Sequence, residues 1–154
     1  MATVEVTFTP LPAHVRTARL VATAVARRSG VDETLLDEVR LAVGEACSRA
    51  VEAHRRHCPT EPVKIEMTDL GERFEVVVSD AVPSAPAGAS AAGAAAAGGA
   101  ASAGATNGTL PPESLPGGFG LAVISGLADD VRITATSSGV SVRMTWPAAV
   151  GAAA

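Results

Sequence analysis

Val4, Val6 and Phe8 alternate with Glu5 and Thr7 at the start of the chain, which is the period of a strand with one buried face. From Leu11-Pro12 the period lengthens. Val15, Ala18, Val21, Ala22 and Val25 recur at helical spacing. They predict a helix that begins at a proline, where a missing N–H does no harm, and stops at Gly30. Its other face carries Arg16, Arg19 and Arg27. Asp32, followed by Glu33, is a natural N-cap for a second helix. Leu36, Val39, Val43, Ala46 and Ala50 carry that helix to His54–His57.

Beyond Pro59 and Pro62 the alternation returns. Val63, Ile65 and Met67 predict one strand, Asp69-Leu70-Gly71-Glu72 a turn, and Phe74, Val76 and Val78 a partner strand ending near Asp80. Leu121, Ala122, Ile124 and Leu127 predict a short third helix after Gly117-Gly118-Phe119-Gly120. A second hairpin follows, with Val131, Ile133 and Ala135 opposite Val140, Val142, Met144 and Trp146 across Ser137-Ser138-Gly139. Five one-faced strands and three one-striped helices are solved by a single helix layer on a mixed, mostly antiparallel sheet. The expected fold is therefore a two-layer α/β sandwich.

Composition changes this picture in one place. The chain has 154 residues and is 47% hydrophobic, but residues 81–116 are almost wholly Ala, Gly, Ser, Pro and Thr, with Glu113 as the one charge. Glycines interrupt the alanines too often for a stable isolated helix, so a flexible loop is expected there. One domain over residues 1–147, interrupted by that loop, and a disordered tail over 148–154 complete the expected organisation. A net charge of −4 gives no footprint for binding nucleic acid. The opening segment has no signal-peptide character and no apolar run is long enough for a bilayer, so a cytoplasmic protein without membrane contact is expected. Cys47 and Cys58 lie on or next to one helix, eleven positions apart, too far apart to bond at about 1.5 Å per residue.

Three segments carry a family resemblance: Leu41-Ala42-Val43-Gly44-Glu45-Ala46-Cys47-Ser48-Arg49-Ala50-Val51, the strand end Val76-Val77-Val78-Ser79-Asp80, and Gly117-Gly118-Phe119-Gly120-Leu121. With the element order they resemble the Bergerat (GHKL) ATP-binding fold, most of all its bacterial anti-sigma serine kinases of the actinobacterial partner-switching type. The resemblance implies a protein that holds a sigma factor and releases it when a STAS-domain anti-anti-sigma protein competes. Active members also phosphorylate a serine of that antagonist. Many relatives dimerise, so a homodimer stands among the implied partners.

The family places a catalytic Glu and, four residues on, an Mg²⁺-ligating Asn where this chain has Glu45 and Arg49. A guanidinium has donors only and cannot ligate a cation. At 4 Å from Mg²⁺ it would be repelled by about 8 kcal/mol at an effective dielectric of 20. Arg49 could instead hold phosphate in place of the metal. Without the family, Glu45 and Arg49 read as an i,i+4 surface pair, a pattern repeated by Glu52 and Arg56.

The family's adenine-reading Asp-x-Gly-x-Gly here reads Asp80-Ala81-Val82-Pro83-Ser84. Its aspartate is kept and both glycines are lost. Val82 disfavours positive φ, and Pro83 removes a donor. Gly117, Gly118, Phe119, Gly120 and Leu121 could aim backbone N–H groups at a phosphate or could be a plain junction. The loop at the family's ATP-lid position offers no Lys or Arg.

The expectation is weak or absent ATP binding, no Mg²⁺, and a regulator that works by protein binding. A working serine/threonine kinase with Glu45 as base, and a nucleotide sensor without turnover, are the alternatives. His54, His57 and Cys58 lack a second cluster at zinc spacing, and the first helix's arginines suit either a solvated face or an acidic partner.

Overall fold

The computed structural model describes residues 2–83 and 124–149. Strand β1 (Ala2–Phe8) leads to helix α1 (Pro12–Arg28), which ends two residues before Gly30 (φ 94°). Asp32 caps the next turn by accepting from the Thr34 N–H at 2.9 Å. That turn, Glu33–Leu35, is 3-10, and the α-helix α2 proper runs from Leu36 to His57. The expected second helix thus opens with a tighter 3-10 turn under the Asp32 cap.

Strands β2 (Val63–Asp69) and β3 (Arg73–Asp80) form the first hairpin, and β4 (Asp130–Thr136) and β5 (Gly139–Pro147) the second. The sheet order is β1-β2-β3-β5-β4, and every pairing among the described residues is antiparallel. The mixed element of the expected sheet is not seen. β5 returns against β3 and places β4 at the far edge. The loop expected at 81–116 and the glycine turn lie outside the described residues beyond Pro83, as does the tail beyond Ala149.

Alternation decides which side is buried. Ile65 and Met67, Phe74, Val76 and Val78, and Val142, Met144 and Trp146 all lie on one face and are almost fully buried there. Helix α2 packs on β2 and β3, and α1 packs on α2. Residues 124–127 are helical, with Ile124 buried and the Leu127 carbonyl accepting from Trp146 Nε1 at 3.0 Å. No helix among the described residues is long and apolar enough to cross a membrane.

The α1–α2 contact corrects one assignment. Arg19, expected on the solvent face of α1 beside Arg16 and Arg27, is half-buried instead, and its guanidinium lies over Gly44 of α2. A methyl group at position 44 would occupy the space of that guanidinium. Glycine inside a helix costs about 1 kcal/mol relative to alanine, and close approach of a side chain is the return for it here. Arg27 is exposed as expected and pairs with Glu33 at 3.1 Å.

Cys47 is fully buried beneath this contact, and both cysteines are free thiols. Burial pushes the Cys47 thiol from its ordinary 9.0 up to about 12, against the opposing pull of Arg19. The folded state therefore holds this proton after the unfolded chain has released it. Its stabilising contribution is whole below pH 9.0 and is lost as pH rises toward about 12. Denaturant unfolding of wild type and Cys47→Ala at pH 8 and pH 10.5 should show the larger alkaline loss in wild type. Equal losses would contradict burial of that thiol.

Candidate functional site

Strand alternation sends Asp80 to the same face as Phe74, Val76 and Val78, so the last residue of β3 points under α2. Helical spacing brings Arg49 of α2 above it. Arg49 Nη1 donates to Asp80 Oδ2 at 2.6 Å, with side-chain exposures of 11% and 0%. The pairing contradicts the i,i+4 surface reading of Arg49: its partner is across the core, and Glu45 is not bonded to it. The reason is geometric. Position 49 faces the sheet, where a fully buried carboxylate is a stronger attraction than the half-buried glutamate one turn away. Glu52 and Arg56, farther round the helix, do form the exposed pair, at 2.6 Å.

The carboxylate is closed in from every side. Asp80 Oδ1 accepts from the Val82 N–H at 2.9 Å and the Val140 N–H at 3.3 Å. The first contact is an Asx-type turn, in which the chain leaving β3 folds back over its own side chain. Val82 has no positive φ, so the backbone follows the path a branched residue allows.

Two further residues hold this arrangement. His54, fully buried, accepts the Ala81 N–H at Nε2 (2.8 Å), so Nδ1 carries the hydrogen and donates to the Glu61 carbonyl at 2.8 Å. Both ring nitrogens are committed to backbone. This imidazole ties α2 to the segment before β2 and to the segment after β3. Gly139, at φ 142°, lies so close to Asp80 that a Cβ would overlap the Asp80 carbonyl oxygen.

Sequence pattern alone points to neither residue for this role. It offers His54 only as a metal ligand and Gly139 only as a turn. The parity of Asp80 with Phe74, Val76 and Val78 is the available signal that something buried must meet that carboxylate.

Arg49 and Asp80 are thus brought together, and Glu45 sits one turn earlier on α2, half-buried and with no hydrogen-bond partner among the described residues. Gly117, Gly118, Phe119, Gly120 and Leu121 lie outside the described residues. Arg49 Nε is buried with no partner among the described residues.

Among the described residues, the Arg49–Asp80 pair leaves neither group free for a nucleotide or its metal. A purine amino group would have to reach a carboxylate with no exposed surface, and a cation would meet a guanidinium in place of an oxygen ligand.

Breaking a buried pair by deleting one partner typically costs about 3–5 kcal/mol. Arg49→Ala and Asp80→Ala should each destabilise by an amount of that order in urea unfolding. The double variant should lose clearly less than the sum, because neither mutation then leaves an unpaired charge. Additive losses would show that the two groups are not coupled.

Residues 8–146 match the family model described as the histidine kinase-like ATPase domain. The serine-protein kinase RsbW of Bacillus subtilis (strain 168) is 29% identical over 142 residues, spanning 92% of this chain and 83% of that protein. RsbW of Bacillus licheniformis is 28% identical over 139 residues, spanning 87% and 78%. Among solved structures, the RsbU and RsbW domains of Rv1364c from Mycobacterium tuberculosis superpose with TM-score 0.62 at 16% identity. That match covers 97% of this chain and 34% of the larger protein, and it supports the same fold. A family match across almost the whole chain, together with its order of strands and helices, places the chain in the histidine kinase-like ATPase (GHKL) family, with the serine-protein kinases RsbW among its relatives.

Proposed function

We propose that this chain is a partner-switching regulator of the anti-sigma type. It binds a sigma factor, a STAS-domain anti-anti-sigma protein, or each in turn, and its nucleotide pocket has been converted into a structural ion pair. The likeness to RsbW supports the regulator. The Arg49–Asp80 contact supports the loss of nucleotide: it engages the carboxylate that would read adenine with the side chain that replaces the metal ligand. Partner exchange would then run on competition between protein surfaces and would not be timed by phosphoryl transfer.

A second reading is an ATP-dependent serine/threonine kinase acting on the antagonist. Two observations favour it: the name of the relatives, and a Glu45 carboxylate left without a partner among the described residues. It requires Arg49 to swing out of the pocket, which exposes Asp80 at the expense of a buried pair.

Calorimetric titration with Mg-ATP separates the two. The regulator should give no heat of binding at millimolar nucleotide, and its capture of sigma factor or antagonist from the native cytoplasm should be the same with and without Mg-ATP. Micromolar affinity that disappears in Glu45→Ala or Asp80→Ala, together with labelled phosphate on a co-purified antagonist, would establish the kinase instead.

A further inference from the structure

The sheet has two open edges, β1 at one side and β4 at the other, and they are not alike. On β1 the charged residue at mid-strand, Glu5, already has its counter-ion, Lys64 of β2, at 3.1 Å. Among the described residues β4 pairs only with β5, in an unbroken register from Asp130 to Thr136. No proline or bulge interrupts it. One side of its backbone N–H and C=O groups is therefore open to another strand.

The two faces beside this edge differ in chemistry. On the outer face Arg132 stands directly opposite Arg143, and like charges directly opposite each other destabilise a sheet. The carboxylates near them are Asp130, 3.7 Å from Arg132, and Glu75, 3.5 Å from Arg143. Both distances exceed the about 2.7–2.9 Å of a charge-assisted hydrogen bond. Both guanidiniums are more than half exposed, a setting in which such loose pairs contribute little. On the helix side, Val131 of the edge strand and Leu127 and Ala128 just before it are apolar residues only partly buried against the core.

We propose that the β4 edge is a docking site for an extended segment of a protein partner, which joins the sheet as a further strand and carries acidic residues on its outer face. Backbone pairing attracts any strand, and the side chains choose among strands. An aspartate or glutamate directly opposite Arg132 on the incoming strand neutralises the Arg132–Arg143 pair at the spacing where opposite charges stabilise a sheet. Apolar residues on its other face continue the core past Val131.

A basic strand meets two guanidiniums and is rejected, so the charge that guards the edge also selects its occupant. A second copy of β4 answers the charge less well. Two-fold antiparallel pairing centred on Ile133 sets Arg132 on Thr134 and brings no carboxylate to it. The proposal does not rest on the Arg49–Asp80 pair or on nucleotide.

Fluorescence anisotropy of the full chain with labelled probes tests it. One probe is a peptide of the length of β4 with valine and glutamate at alternate positions, and the other has lysine for glutamate. The glutamate peptide should bind tighter by about tenfold or more. Its binding should slow hydrogen exchange at the β4 amides that face away from β5. Arg132→Glu with Arg143→Glu should reverse the preference, and Arg132→Glu alone serves should the double variant misfold. Methylating the peptide nitrogens that face the edge should abolish binding at unchanged charge. No binding of the glutamate peptide, equal binding of the two peptides, or affinity untouched by methylation would each overturn the proposal. So would outward-facing β4 amides already protected in the free chain, as a second copy or a covering segment would leave them.

Discussion

The bonded guanidinium of Arg49 and carboxylate of Asp80 depend on everything around them and in turn constrain it. An aspartate with no exposed surface is tolerable only if its charge is met. The chain meets it with a helix side chain at 2.6 Å and two backbone N–H groups. Satisfying that carboxylate fixes where α2 sits over β3. It also fixes how the chain leaves the strand and how closely the second hairpin approaches. Gly139 is needed because the approach is so close, and His54 because the leaving segment has a further N–H to satisfy. The site is therefore one connected polar network inside a mostly aliphatic core, in which Arg49 Nε is the buried group left without a partner among the described residues.

The same network bears on chemistry. A pocket that reads a purine needs a carboxylate turned toward solvent and a backbone that can pass close to a ring. Here the carboxylate is turned inward, and the backbone after it folds over its own side chain. The family's architecture is intact around this point, with one helix layer on an antiparallel sheet and the matched region running from residue 8 to 146.

Much of the fold is legible in sequence because alternation and helical spacing are local signals. Both hairpins, the proline start of α1 and the register of Val131, Ile133 and Ala135 against Met144, Val142 and Val140 follow from them, whereas the pairings of β1 with β2 and of β3 with β5 do not. The residues less well read are those whose roles depend on non-local neighbours. Arg49 looks like the partner of Glu45 until the sheet supplies Asp80, and Arg19 looks solvated until Gly44 offers it a place to lie. Gly139 looks like a turn residue, which it is, but the Asp80 carbonyl against it comes from 59 positions away in sequence and leaves no local trace.

The central claim is that the pocket is closed by its own ion pair, and the most direct measurement is a crystal structure of the protein grown with Mg²⁺ and a non-hydrolysable ATP analogue. The account predicts Arg49 on Asp80, both within the core, and no ordered triphosphate beside them. A purine amino group on Asp80, with Arg49 turned away and magnesium bound near Glu45, would contradict it.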